Sequence, residues 1–157
     1  VHRNPHKLYQ EHIGCSLNQL TNEVQSIAQR VVPTAEVLSR RKELEALKIK
    51  MRFYRTHNVF RLNDVYGIRV LVESVAEAYI VLRAVEDTFH GYLEHDYIKK
   101  PKTRPDDPNL AGKMLRLLQY VAYRNATPFE IQITTHEFHT MNEPLHAAYH
   151  ARKYAGI

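Results

Sequence analysis

The chain has 157 residues, 44% of them hydrophobic and 25% charged, with a mass of 18.4 kDa and a mean hydropathy of -0.46. That is the size of one domain around one core; it excludes a disordered chain, and no apolar run approaches the ~20 residues that span a bilayer. Lys and Arg number 22 against 17 Asp and Glu, a net charge of +5, which favours anionic partners such as nucleotides, RNA or acidic surfaces. The lone cysteine, Cys15, excludes an internal disulfide framework and a Cys-based zinc site. No opening stretch has the form of a secretory leader, so a cytoplasmic location with no membrane partner is expected. The start at Val1 rather than Met fits a piece of something longer.

In chain order, Leu17, Leu20, Val24, Ile27 and Ala28 recur at helical spacing and predict an amphipathic N-terminal helix. The β-branched run from Val31 to Leu38, interrupted by Pro33, predicts a short edge strand. A charged helix follows over Lys42 to Tyr54, with Leu44, Leu47 and Met51 on one face. Val65 to Val72 is nearly continuous in apolar residues, as a covered interior strand requires. Ala78, Leu82, Val85 and Phe89 then define a helix over Val75 to Phe89. Lys99 to Gly112, rich in Pro and Asp, reads as a long loop. Leu115 to Tyr123 and Phe129 to Thr135 read as an antiparallel hairpin, and a last helix is expected from His136 to Tyr154 with a kink at Pro144. This order defines an α+β domain with a mixed sheet. Residues 1–30 form a helical segment ahead of the domain at 31–157.

Chemistry concentrates in a few places. Arg40, Lys42 and Lys50 gather at a strand-to-helix junction, where cationic side chains and unpaired N–H groups together hold a polyphosphate; the alternative is a solvated basic helix face. Asp64 precedes the interior strand, with Arg69 five residues on, and an acid there either holds Mg²⁺ beside phosphates or caps a turn. Glu130 and Gln132 share one face of their strand, so Glu130 and Asp64 make a carboxylate pair if that face lines a cleft. His136, His139, His146 and His150 crowd the C-terminal end, but no helical His-Glu-x-x-His spacing marks a zinc site.

These segments, taken in order, resemble the synthetase domain of the RelA/SpoT family, whose members transfer pyrophosphate from ATP to the ribose 3′-hydroxyl of GDP or GTP. The similarity runs from about Val37 to Lys153. It rests on Ser39-Arg40-Arg41-Lys42 with Lys50-Met51, on Asp64-Val65-Tyr66-Gly67-Ile68-Arg69, and on Tyr79 with Leu82. Asp96-Tyr97-Ile98-Lys99-Lys100-Pro101-Lys102 and Glu130-Ile131-Gln132-Ile133-Thr134-Thr135 complete it, followed by Phe138-His139, Glu143 and Ala147-Ala148. The resemblance implies a mixed sheet of about five strands flanked by helices, of nucleotidyltransferase type. It implies that Arg40, Lys42, Lys50 and Arg69 clasp ATP phosphates. Asp64 and Glu130 would be the catalytic acids and the Mg²⁺ ligands, with Lys102, Gln132, His139 and Glu143 on the acceptor side. A homo-oligomer also fits the small members of the family.

Several positions depart from the family pattern. Where the family has Asn-Gly-Tyr-x-Ser-Leu-His, whose Tyr stacks on guanine, this chain has Leu115, Leu117 and Gln119 in place of Tyr, Ser and His. Base stacking is worth about 1–3 kcal/mol, so the loss argues against ordinary GDP/GTP recognition. Glu45, Ala46 and Thr134 replace the family's Tyr, Ser and Arg. Three readings follow: a pyrophosphokinase acting on GDP or GTP, a catalytically silent nucleotide-binding or protein-binding module, and a toxin-like enzyme that pyrophosphorylates tRNA.

Overall fold

The computed structural model describes residues 4–103 and 114–142. Its framework is a five-stranded mixed sheet of order β1-β2-β7-β6-β3. The strands are β1 (Glu36–Arg41), β2 (Tyr66–Val72), β3 (Gly91–Asp96), β6 (Leu118–Arg124) and β7 (Thr127–Thr135). β2 and β7 run parallel, and the other neighbours run antiparallel. Two short strands, β4 (Lys102–Thr103) and β5 (Met114–Leu115), pair separately.

Helices α1 (Pro5–Ile13), α2 (Leu17–Val31), α3 (Leu44–Phe53) and α4 (Val75–Thr88) all bury residues in one core with the sheet. Ser16 and Ser74 start α2 and α4 with reciprocal capping boxes to Gln19 and Glu77, which satisfy N–H groups the helix itself leaves orphaned. The apolar stripes of those helices, Leu20, Val24, Ile27 and Ala28 in α2 and Ala78, Val81, Leu82 and Val85 in α4, are buried. They share one core with Ile68, Val70, Leu118, Tyr120, Phe129, Ile131 and Ile133 from one face of the sheet. Alternation along the strands turns Arg69, Gln119, Glu130 and Gln132 to the opposite face.

α1, which the residue spacing did not suggest, packs against α3, β7 and the 3-10 turn Val59–Arg61. Tyr9 is fully buried there; its hydroxyl donates to the Pro128 carbonyl at 2.5 Å, and its ring meets Tyr66 edge-on at 4.8 Å. The β6–β7 hairpin turns through Asn125 and Ala126, both at positive φ (52° and 56°), the pair of left-handed residues a two-residue hairpin needs. Asn125 also donates to the Ile13 carbonyl at 2.8 Å, tying the turn to the end of α1.

The strand expected over Val31 to Leu38 lies later, at Glu36–Arg41, because α2 continues through Val31 and the 33–34 turn follows it. The strand expected over Leu115 to Tyr123 is broken at Arg116–Leu117. There the Asn142 side chain accepts from the Arg116 N–H at 3.0 Å and donates to its carbonyl at 2.8 Å. β3 forms an edge strand of the sheet. Of the loop expected over Lys99 to Gly112, Lys102–Thr103 is strand β4 and 104–113 lies outside the described residues. A helical stretch begins at 136 and is followed to 142, so the kink at Pro144 lies outside the described residues.

Candidate active site

The basic corner is built by the end of β1, the start of α3 and the turn before β2. The Lys42 N–H donates to the Val65 carbonyl at 2.9 Å. Its own carbonyl accepts from His6 Nε2 at 2.7 Å, so α1 reaches into the corner. Held at both ends, Lys42 sends Nζ to Asp64 Oδ2 at 3.0 Å, while Lys50 Nζ, on the facing side of α3, meets Oδ1 at 2.5 Å. Burial pushes the Asp64 carboxyl up, but the charges and hydrogen bonds of Lys50 and Lys42 prevail and hold it below its ordinary value.

The second acid stands on β7. In the sheet register Glu130 lies beside Gly67 of β2, and Gly67 lies beside Arg40 of β1. Gly67 therefore leaves a gap in the row between Arg40 and Glu130. Glu130 is only 8% exposed. Burial first, then the negative field of Asp64, raises its pKa to about 7, against opposing contributions from Gln132 and Lys50. Gln132 Nε2 donates to Glu130 Oε1 at 2.5 Å, and Gln119 Nε2 donates to Oε2 at 3.1 Å. Arg69 Nε donates to Gln132 Oε1 at 2.8 Å, and Arg69 Nη1 lies 3.1 Å from His139 Nδ1. Because a guanidinium only donates, Arg69 fixes which end of the Gln132 amide faces the acid.

The sequence-derived candidates thus separate into groups. Lys42, Lys50 and Asp64 are in direct contact, and Glu130, Gln132, Arg69 and His139 form one hydrogen-bonded chain. Arg40 is exposed on β1. Lys102 Nζ lies 5.7 Å from the centre of the Tyr97 ring. Glu143, His146 and His150 lie outside the described residues. Glu45, which stands in place of the family's Tyr, is exposed and faces Lys48 at 3.7 Å.

The substituted positions also acquire physical roles. Thr134 is fully buried and donates to the Arg116 carbonyl at 2.8 Å. Leu115 and Leu117 are buried and pack with Tyr97, so neither offers a surface to a base. Gln119, which reads in the sequence only as a lost histidine, is a direct partner of Glu130. Its alternation with Leu118 and Tyr120, both core residues, is the signal that places it on the Glu130 face. His6 carried no such signal, since its contact spans 36 positions of chain.

Among the described residues, no group of three or more His, Cys, Asp and Glu converges as a metal site. Asp64, whose charge acts on Glu130, and Glu130 itself are oxygen donors of the kind that hold Mg²⁺, which takes one or two carboxylates and the rest of its shell from phosphates and water.

The family model described as a region found in RelA / SpoT proteins matches residues 39–154, and the chain belongs to that family. A comparison with curated protein sequences gives no match. Among solved structures, the chain is similar to the small alarmone synthetase 1 from Bacillus subtilis bound to its product pppGpp, with 19% identity, a TM-score of 0.65, and coverage of 95% of this chain and 78% of that one. The same synthetase bound to AMPCPP gives 18% identity and a TM-score of 0.61 over 96% and 78% of the two chains. A GTP pyrophosphokinase family protein from Streptococcus pneumoniae gives 19% identity and a TM-score of 0.62 over 94% and 77%. At these identities the shared feature is the fold, an α+β domain on a mixed five-stranded sheet.

Proposed function

We propose that the protein is a (p)ppGpp synthetase-type pyrophosphokinase, transferring the β,γ-pyrophosphate of ATP to the ribose 3′-hydroxyl of GDP or GTP. The observation that carries this reading is the contrast between two acids: Asp64 lies against Lys42 and Lys50 at 3.0 and 2.5 Å, while Glu130 is buried and held by the neutral amides of Gln132 and Gln119. The lysines lower the Asp64 pKa, while burial and the charge of Asp64 raise that of Glu130 to about 7. Carboxylates driven apart in this way divide a reaction between a permanent anion and a group able to exchange a proton. The neighbouring structures holding pppGpp and AMPCPP support nucleotides as the partners.

In this mechanism the Glu130 carboxylate takes the proton of the 3′-hydroxyl. The freed oxygen attacks the β-phosphorus of ATP, the bond from that phosphorus to the α,β-bridging oxygen breaks, and AMP leaves with the electron pair. Lys42, Lys50 and Arg40 bind the triphosphate and balance the charge that spreads over it, the main requirement of phosphoryl-type chemistry. Asp64 and Glu130 are the residues that would hold Mg²⁺, which would supply further neutralisation of the phosphates. Gln119 and Gln132 orient Glu130, and Arg69 orients Gln132.

Incubation of the protein with Mg-ATP and GDP or GTP, followed by chromatography of the nucleotides, tests the reading. AMP should form in step with a 3′-pyrophosphorylated guanine nucleotide, and Asp64→Asn or Glu130→Gln should remove both. AMP formed only when bulk tRNA is added would move the acceptor to RNA. No AMP with any acceptor at high protein concentration would leave a nucleotide-binding module without turnover.

A further inference from the structure

β3 carries a bulge beside the site. Its register with β6 pairs Leu93 with Tyr120 and His95 with Gln119, leaving Glu94 as the extra residue. Bulges re-aim side chains, and they are common next to active sites. Here the bulge lets consecutive side chains meet, with Glu94 Oε1 3.6 Å from His95 Nε2. The other oxygen, Glu94 Oε2, is buried and has no hydrogen-bond partner among the described residues. A buried acceptor in that state costs free energy until a donor reaches it.

This position is close to the chemistry. His95 is in register with Gln119, whose amide holds Glu130. Glu94 adds its negative field to those that raise Glu130. The His95 ring stacks on Tyr97 at 4.7 Å and 12°, and its side chain is 43% exposed. Tyr97 is backed in turn by Leu115 and Leu117. Asp96 locks the stack in place by accepting from the N–H groups of Ile98 and Lys99 at 3.1 and 2.9 Å and from the Tyr79 hydroxyl at 2.7 Å.

We propose that Glu94 and His95 form the base-reading half of the acceptor subsite: the His95 ring, backed by Tyr97, stacks on the base while Glu94 accepts from its N–H edge. This rests on the pyrophosphokinase reading and specifies its acceptor. A carboxylate only accepts, so it fits guanine, whose N1–H and N2–H₂ stand side by side as donors. Adenine presents a ring nitrogen lone pair at the same place, which a carboxylate repels. The aromatic surface that the family's stacking Tyr supplies is thereby transferred from the Leu115 segment to the edge strand.

Calorimetric titration of the full chain with GDP, IDP, ADP and AMPCPP tests the assignment. The unaltered protein should bind GDP at least tenfold more tightly than IDP, which lacks the N2 amino group, and more tightly than ADP. Glu94→Gln should weaken GDP by about tenfold to a hundredfold and erase its advantage over IDP, with AMPCPP binding retained. His95→Ala should weaken GDP and IDP alike, by roughly tenfold. Both residues lie on an edge strand and keep part of their side chains exposed, so the variants should remain folded, as melting curves would show, with Glu94→Gln no less stable than the parent. GDP affinity and preference unchanged in Glu94→Gln, with AMPCPP still bound, would overturn the subsite alone. Failure of the unaltered protein to bind both GDP and AMPCPP would overturn the pyrophosphokinase reading and the subsite with it.

Discussion

The Gln119 side-chain amide crosses from β6 to β7 and donates to Glu130 Oε2 at 3.1 Å. At the position that the sequence resemblance sets against the family's histidine, this chain thus presents a neutral donor to a buried acid. Replacing it with leucine removes one of the two amides that stabilise the ionised carboxylate. Hydrogen bonds to charged groups contribute about 1.5–3 kcal/mol, so Gln119→Leu should move the Glu130 titration upward by about one pH unit or more. Carbonyl-labelled NMR or infrared titration of Glu130 checks it; an unmoved titration would show that Gln119 does not govern this acid.

Glu130 also bears on stability. Its native pKa, at about 7, lies above the ordinary carboxylate value, so the fold prefers it protonated. The destabilisation is absent below the unfolded pKa and is complete once the pH has passed the native one. Glu130→Gln should therefore be more stable than the parent above pH 7, by roughly 3 kcal/mol, and no different near pH 4. Denaturant melts at the two pH values read this out directly.

Asp64 has the opposite sign. Its pKa is lowered in the native state, so its pairing with Lys42 and Lys50 stabilises the protein above the ordinary carboxylate range and is lost as the pH falls through the lowered native value. Asp64→Asn leaves two largely buried ammonium groups facing each other, and should cost about 2–3 kcal/mol at neutral pH. Thermal melts across pH 2–7 should show the gap between variant and parent closing in acid.

Gly67 separates Arg40 from Glu130 in the sheet. A Cβ placed there meets only the Arg40 carbonyl oxygen, at 3.6 Å, which is ordinary contact. Gly67→Ala should therefore fold as well as the parent or better, by about 0.5–1 kcal/mol. Gly67→Leu should keep the fold but fill the gap and reduce AMPCPP binding more than tenfold, as calorimetry would show. Equal binding by Gly67→Leu would mean that no ligand enters between Arg40 and Glu130.

Much of this arrangement is legible in the sequence. The continuous apolar run of β2, the amphipathic repeat of α4 and the antiparallel hairpin of β6 and β7 are local signals, and the structure has each of them. Glu130 and Gln132 were placed on one face by alternation alone. What escaped was set by contacts distant in sequence. β3 has exposed Tyr92 and Leu93 and no clean alternation, and it is a strand because β6 pairs with it. α1 owes its place to two contacts distant in sequence, Tyr9 with the Pro128 carbonyl and Asn125 with the Ile13 carbonyl. The bulge that turns Glu94 and His95 to the same side shows only in the pairing register.

The division of labour between Asp64 and Glu130 is tested most directly by the pH dependence of AMP release from Mg-ATP with saturating GDP. If Glu130 accepts the proton of the 3′-hydroxyl, the rate should climb along one acid limb and level off above it, and Gln132→Leu should shift that limb upward. A limb that Gln132→Leu leaves in place, or one that survives in Glu130→Gln, would contradict the account.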